Sequence, residues 1–89
     1  MLTLKEVQDG MSKLNGWALE GSIITKEVSF DNFKQALDFV NKVGGLAEKH
    51  QHHPDIILRQ NRVNLVSTTH EDKAITEKDL ALAEEIDKV

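Results

Sequence analysis

Two pairs of β-rich runs, separated by one long helical stripe, restrict the fold of this chain more than any other feature. The first pair lies in WALEGSIITKEVSF, residues 17–30, and breaks at Glu20-Gly21. The second pair, DIILRQ and RVNLVSTT, breaks around Gln60-Asn61. Each pair is predicted to form a β-hairpin. Two hairpins on either side of a helix favour one four-stranded antiparallel sheet.

Capping boxes predict the starts of the first and last helices. Thr3 with Glu6 opens the first, which is expected to continue to about Leu14. Thr76 with Asp79 opens the last. The apolar stripe predicted for the last helix is formed by Leu82, Ala83, Ile86 and Val89.

The middle helix is predicted to start at Asp31, a good N-cap residue. Its apolar stripe, interpreted as core, consists of Phe33, Ala36, Leu37, Val40, Val43 and Ala47. The predicted order is therefore α-β-β-α-β-β-α, an α+β fold in a single domain over residues 1–89. Three helices are expected to cover one face of the sheet, leaving the other partly open to a second subunit.

Composition narrows the class of protein. A domain of 89 residues buries a modest core, so a homo-oligomer is expected. The chain has no cysteine, which fits a reducing compartment, and no apolar run long enough to span a bilayer. Eleven basic against fifteen acidic residues give a net charge of −4, which argues against nucleic-acid or membrane binding. We expect a cytoplasmic protein.

Three of the four histidines fall in EKHQHHPD, residues 48–55, and the fourth, His70, lies in VSTTHED. Pro54 ends any preceding helix and disfavours α conformation at His53. The cluster is therefore predicted at a helix-to-strand junction. His70 follows His53 by 17 residues, the length of a strand, a turn and a strand. Because an antiparallel hairpin returns to its start, His70 is expected near His52 and His53.

Acid–base chemistry is the leading interpretation of this cluster. Glu48, one helical turn before His52, is placed to orient an imidazole, and Asp79 can approach from the last helix. Histidines in different environments can divide the roles of proton donor and acceptor near neutral pH. His50 points away from His52 if the helix continues, so we interpret it as a surface residue, or at most as one at the rim of the site.

Other interpretations are weaker. Three histidines can bind zinc, but adjacent residues on an extended segment project to opposite sides, so His52 and His53 would not easily chelate one ion. Cysteine is absent, and Ser67 lies on the opposite strand face from His70, which disfavours a serine nucleophile. Trp17 is interpreted as core or as a flat wall for an aromatic ligand.

Taken together, the motifs resemble the pterin-4a-carbinolamine dehydratase family. That family is marked by Glu-Lys-x-x-His-His-Pro-acid, a Thr-His after the last strand, and a Thr/Ser-x-x-Asp helix start. The matching residues here are Glu48, Lys49, His52, His53, Pro54, Asp55, Thr69, His70, Thr76 and Asp79. Trp17 matches a tryptophan after the first helix. Ile56 departs from the pattern, since others have Trp there.

The resemblance implies dehydration of a 4a-hydroxytetrahydropterin to the quinonoid dihydropterin, in support of tetrahydrobiopterin recycling, with no metal or organic cofactor. It also implies a homodimer or homotetramer. The catalytic residues it implies are His52, His53, His70, Glu48 and Asp79. We expect the pterin to be bound by Gln51, Pro54, Thr68, Thr69, Glu71 and Trp17. Some members also act as a dimerisation cofactor of a homeodomain transcription factor, so a protein-binding module is the alternative.

Overall fold

The computed structural model describes all 89 residues, and its elements follow the predicted order. The α+β fold class is confirmed. The elements in chain order are α1 Leu4–Met11, β1 Ala18–Glu20, β2 Ile23–Ser29, α2 Phe33–His50, β3 Asp55–Arg59, β4 Arg62–Ser67 and α3 Glu77–Ile86.

The four strands form one antiparallel sheet in the order β1-β2-β4-β3. The first hairpin, β1–β2, and the second, β3–β4, are joined through β2 and β4, where Ile24 pairs with Ser67. In the second hairpin Asp55 pairs with Val66. Side chains alternate between sheet faces, so Ile24, Ser67 and Leu65 point to the same, inner face. The end of β4 is thereby brought beside the start of β3.

The core lies between the inner face of the sheet and α2 and α3. Its main cluster of buried side chains is Ala36, Phe39, Val43, Val63, Leu65, Leu82 and Ile86. A second cluster, under α1, is Val7, Ile24, Ile75 and Ala83. Helix α1 approaches α3 closely, because a Cβ at Gly10 would lie 2.5 Å from Leu80 Cδ1. Glycine at this position therefore makes room for Leu80, although it lowers the intrinsic stability of the helix.

Both predicted capping boxes are confirmed, at Thr3 with Glu6 and at Thr76 with Asp79. Two predicted boundaries are wrong. Helix α1 ends at Met11 rather than Leu14, because the chain leaves the helix through bonds such as Leu14 N–H to Met11 O.

The second wrong boundary is at α2, whose N-cap is Asn32 rather than Asp31. The Asn32 side chain accepts a hydrogen bond of 2.9 Å from the Gln35 N–H. The Asp31 N–H instead donates to the Gln35 side chain at 3.1 Å. Asparagine and aspartate are comparable N-caps, so two adjacent candidates cannot be ranked by residue type alone.

The predicted apolar stripes are correct only in part. Phe33 and Leu37 on α2 are 54% and 39% exposed, and Val89, beyond the end of α3, is 51% exposed. Ala36, Val43 and Ala47 of the predicted α2 stripe are buried, and Phe39, which the stripe left out, is buried with them. Leu37 lies about 100° around the helix from Ala36, which takes it to the border of the buried face. None of the helices is long and apolar enough to cross a membrane.

Candidate acid–base site

The histidine cluster lies where α2 turns into β3, as predicted. Gln51 adopts a left-handed conformation with φ of 51° and ends the helix. The His52 N–H donates to Ala47 O at 3.0 Å and the Gln51 N–H to Glu48 O at 3.2 Å, the two bonds of a Schellman motif. The Gln51 side chain donates to Glu48 O at 2.6 Å, so its contact is local to the turn.

His52 and His53 point to opposite sides of the extended segment that follows this turn. His52 is buried, with 9% of its surface exposed, whereas the His53 side chain is 62% exposed. The reversal of side-chain direction at consecutive extended residues explains this split. Two neighbouring imidazoles therefore have different environments, which is the condition the sequence predicted for separate acid and base roles.

A fully buried carboxylate is the partner of His52. Asp79 has no exposed surface, and its two oxygens receive four hydrogen bonds. Oδ1 is 2.7 Å from His52 Nε2 and 2.5 Å from Ser67 Oγ. Oδ2 accepts from Thr69 Oγ1 at 2.7 Å and from the Thr76 N–H at 3.0 Å. A carboxylate offers about four acceptor positions, so Asp79 is fully satisfied.

The hydrogen bonds keep Asp79 ionised despite its burial. Burial raises the pKa of this carboxyl group and is the largest single influence on it, but the hydrogen bonds, led by those from Ser67 and from the Thr76 N–H, together outweigh it. The bonds from His52 and Thr69 act in the same direction. The pKa of Asp79 therefore lies below its ordinary value of 3.8. At neutral pH the site contains a buried negative charge bonded to an imidazole.

Glu48 is paired with His53, not with His52. The carboxylate Oε2 meets His53 Nε2 in a short contact, and both side chains are largely exposed, at 73% and 62%. The sequence correctly predicted that Glu48 would orient an imidazole of the pair. It did not identify which one, because the left-handed turn at Gln51 decides which ring faces the helix.

His70 lies in the turn that follows β4. This turn is closed by a bridge between Thr69 and Ala74. His70 is exposed and forms no hydrogen bond or ion pair with His52 or His53. Since Val66 pairs with Asp55, His70 follows β4 at the same end of the sheet as the cluster. The convergence of all three histidines on one substrate stays a prediction.

The remaining residues predicted to bind substrate fall into two groups. Near the end of β4, Thr68 Oγ1 donates to Ser22 O at 2.6 Å, and Glu71 is exposed. A hollow of about 310 Å³ opens here, lined by Met1, Thr69, Glu71, Asp72, Thr76, Glu77 and Lys78. Trp17 lies elsewhere: its Nε1–H donates to Asp87 Oδ1 at 2.9 Å and its ring packs against both core clusters.

His50 is only partly exposed, so its interpretation as a surface residue is correct only in part. Its Nε2 atom is shielded from solvent and has no hydrogen-bond partner. The reason is helical geometry: His50 lies seven residues, about two turns, after the buried Val43 and so on the same side of α2.

A hollow of about 380 Å³ on the outer sheet face, lined by polar residues such as Glu27 and Arg62, lies away from the histidines.

Sequence reasoning missed Ser67 as a site residue and took Thr69 for a substrate contact only. Both are buried, at 2% and 3% exposure, and both bond to Asp79. The signal was the alternation in β4, which places Ser67 inward with Val63 and Leu65. A hydroxyl on the core face of a strand requires a polar partner.

No group of three or more His, Asp or Glu side chains is placed to hold a metal ion.

Fold and site together define a class of protein: a small α+β domain with a cluster of hydrogen-bonded histidine and carboxylate side chains at one end of its sheet. A family model described as pterin 4 alpha carbinolamine dehydratase matches residues 1–89. The chain belongs to this family, which confirms the resemblance found in the sequence.

Relatives and solved structures agree with this assignment. A protein of Sulfurisphaera tokodaii, named "Putative pterin-4-alpha-carbinolamine dehydratase", is 41% identical over 88 residues, covering 99% of this chain and 95% of the relative. A protein of Thermomicrobium roseum with the same name is 46% identical over 76 residues, covering 85% and 82%.

Among solved structures, a transcriptional coactivator/pterin dehydratase from Brucella melitensis superposes with a TM-score of 0.91 at 31% identity, covering 98% of this chain and 95% of that one. A pterin dehydratase-like protein described as a RuBisCO assembly factor in the alpha-carboxysome has a TM-score of 0.67 at 20% identity, covering 81% and 83%. This second likeness concerns the fold alone.

Proposed function

We propose that the protein dehydrates a 4a-hydroxytetrahydropterin to the quinonoid dihydropterin by histidine acid–base catalysis, in support of tetrahydrobiopterin recycling. The observation that carries the proposal is the buried, ionised Asp79 bonded to His52 beside an exposed His53. Membership of the family supplies the substrate class. The proposal requires neither a metal nor an organic cofactor.

The chemistry needs two proton transfers. One group donates a proton to the 4a-hydroxyl, the C4a–O bond breaks, and its electron pair leaves with the oxygen as water. A second group removes a proton from the adjacent ring nitrogen, whose electrons form the new C=N bond. Two imidazoles in opposite protonation states perform both steps near neutral pH, each worth about 10²–10⁴-fold.

The environments of the histidines suit this division. His52 is held by a buried carboxylate, while His53 is held by an exposed one, Glu48. His70 is the third candidate: it lies at the same end of the sheet, and its exposed side chain forms no hydrogen bond within the chain. The hollow beside Thr69 and Glu71 is where the edge of the pterin ring is proposed to bind.

Turnover of a 4a-hydroxytetrahydropterin by the purified protein tests the proposal. We expect His52→Ala, His53→Ala and His70→Ala each to lower kcat by about 10²–10⁴-fold without unfolding the protein. His50→Ala is the matched control, since His50 lies outside the proposed site and is expected to leave turnover nearly unchanged. Absence of turnover in the wild-type protein, or wild-type rates in the three site variants, would overturn the proposal.

A protein-binding role is the second candidate, because the Brucella melitensis relative is described as a coactivator as well as a pterin dehydratase. The exposed Phe33 and Leu37 on α2 offer an apolar surface for such a partner. A stoichiometric protein partner, in a protein without pterin turnover, would favour this candidate over the dehydratase.

A further inference from the structure

The direction of each hydrogen bond around Asp79 can be assigned by starting from the backbone N–H groups, which can only donate. The Thr76 N–H is a backbone donor and bonds to Oδ2 at 3.0 Å. Thr76 Oγ1 accepts from the Lys78 N–H and lies 2.7 Å from Thr69 Oγ1. Thr69 gives its single proton to Asp79 Oδ2, so the bond between the two threonines runs from Thr76 to Thr69.

The other oxygen of Asp79 is equally constrained. Ser67 is buried and its hydroxyl donates to Oδ1 at 2.5 Å. An ionised carboxylate can only accept hydrogen bonds, so the remaining partner of Oδ1 has to be a donor as well. That partner is His52 Nε2, which therefore carries a proton.

The second ring nitrogen of His52 is open. Nδ1 forms no hydrogen bond within the chain, and the only buried side-chain nitrogen without a partner is His50 Nε2. His52 Nδ1 therefore reaches the surface, although the ring as a whole is buried. In a neutral imidazole with a proton on Nε2, Nδ1 carries the lone pair.

We propose that Asp79, locked by Ser67, Thr69 and Thr76, fixes His52 as the Nε2–H tautomer, so that Nδ1 is the basic atom presented to substrate. Ser67 and Thr69 act through Asp79 and are positioning residues. The proposal rests on the proposed function for its substrate and assigns a role within it. Neutral His52 takes the proton from the ring nitrogen, which leaves protonation of the departing hydroxyl to His53 or His70.

Replacing Asp79 by asparagine gives a sharp test. The Thr76 N–H cannot reverse, so the amide oxygen has to occupy the Oδ2 position. The NH₂ group then faces His52 and donates to Nε2. We expect Asp79→Asn to invert the tautomer and place the proton on Nδ1, which removes the base. Loss of the correct tautomer is expected to lower kcat by about 10²–10⁴-fold, with a much smaller change in KM.

The tautomer is read directly by long-range ¹H–¹⁵N correlation spectra of the substrate-free protein at a pH where His52 is neutral, with His52→Gln used for assignment. We expect a protonated Nε2 and a bare Nδ1 in the wild type, in Ser67→Ala and in the control Asp9→Asn, an exposed aspartate on α1. In Ser67→Ala the carboxylate still accepts from His52, so the tautomer is retained.

A protonated Nδ1 in the wild type would overturn the inference, as would an unchanged tautomer in folded Asp79→Asn. If Asp79→Asn does not fold, the wild-type spectrum alone decides. Because the spectra contain no substrate, they are independent of turnover. A wild-type protein with the expected tautomer but no dehydratase activity would refute the proposed function and leave the assignment of His52 intact.

Discussion

At the scale of single residues, Asp79 serves two structures at once. Its Oδ2 accepts from the Thr76 N–H and completes the capping box of α3, while its Oδ1 meets His52 at 2.7 Å. A negative charge in the first turn of a helix also interacts favourably with the helix dipole. The group that orients the buried histidine is thus part of the backbone architecture rather than an addition to it.

This arrangement predicts how stability changes with pH. The pKa of Asp79 is lower in the folded chain than its ordinary value of 3.8, so its stabilising effect is complete above that value. It is lost as the pH falls below 3.8 through the lowered pKa. At neutral pH we expect Asp79→Asn to lower the free energy of unfolding by about 1–3 kcal/mol.

Urea unfolding followed by circular dichroism between pH 7 and pH 2 checks this prediction. The difference between wild type and Asp79→Asn should shrink as the pH falls below 3.8. Asp9→Asn, which alters an exposed ion pair, should differ little from wild type throughout. A difference that stays constant down to the lowest pH would contradict the assignment of the lowered pKa.

Replacing His50 by an apolar residue is predicted to stabilise the protein. Its Nε2 is buried without a partner, and such an atom costs about 1–3 kcal/mol. Leucine and glutamine are similar helix formers, but only leucine removes the polar atoms. We therefore expect His50→Leu to exceed His50→Gln in free energy of unfolding by about 1 kcal/mol, measured by urea titration. Equal stability of the two variants would mean that the buried nitrogen has no cost.

Residue patterns identified the main residues of the candidate site, but not all of the hydrogen bonds between them. His52, His53 and Asp79 were identified from motif and hairpin geometry, and the opposite directions of His52 and His53 followed from extended backbone. The pairing of Glu48 with His53 was not predicted, because a single left-handed residue, Gln51, determines in which direction the side chains after α2 point. Ser67 was missed because its partner lies 12 residues away on α3.

At the scale of elements, Asp87 ties the end of α3 to two other parts of the chain. Its oxygens accept from the Asn15 N–H at 2.8 Å and from Trp17 Nε1 at 2.9 Å, in the loop after α1. They also meet Lys26 Nζ of β2 at 2.8 Å, and the Lys26 and Asp87 side chains are only 17% and 12% exposed. Lys26 further lies 6.0 Å from the centre of the Trp17 ring.

Removing this carboxylate should loosen three elements together. Asp87→Ala leaves the Trp17 N–H and the partly buried Lys26 charge without their partner. We expect the free energy of unfolding to fall by about 2–4 kcal/mol, measured by denaturant titration with Trp17 fluorescence as the probe. Asp38→Ala removes an exposed i,i+4 pair on α2 and should cost about 0.5 kcal/mol or less. Equal losses in both variants would show that burial of the Asp87 cluster is unimportant.

Element order and the pairing within each hairpin were predictable because hairpin and capping signals are local. Burial around α2 was predicted less well. Its stripe contains more apolar positions than the sheet covers, so Phe33 and Leu37 stay exposed. Phe39, by contrast, packs against Phe30, with their ring centroids 5.1 Å apart. Which side of a broad stripe is buried depends on where the sheet lies, and that information is not present in the helix alone.

At the scale of the whole molecule, these exposed side chains bear on the expected homo-oligomer. Phe33 and Leu37 are one helical turn apart and form a continuous apolar patch. Ile57 on the outer sheet face is 40% exposed but has polar neighbours such as Asn64. We therefore expect a second copy to pack on the α2 patch rather than on the partly open sheet face that the sequence favoured.

Small-angle scattering and sedimentation test this expectation. A single chain has a Cα radius of gyration of 12.7 Å, close to the roughly 12 Å of a compact chain of this length. We expect a larger value for the wild type in solution, and a return towards the single-chain value in the double variant Phe33→Asp, Leu37→Asp. Ile57→Asp, the control, should retain the larger assembly. A monomeric wild type would contradict the prediction.

The double use of Asp79 also couples the chemistry of the site to the motion of the backbone. The first turn of α3 cannot fray without withdrawing the carboxylate from His52, so the helix end and the imidazole open in one event. Amide hydrogen exchange in that turn therefore measures how often His52 loses its orientation. Conversely, a substrate that engages His52 slows exchange at a helix end it does not touch, which makes an ordinary backbone amide a reporter of occupancy.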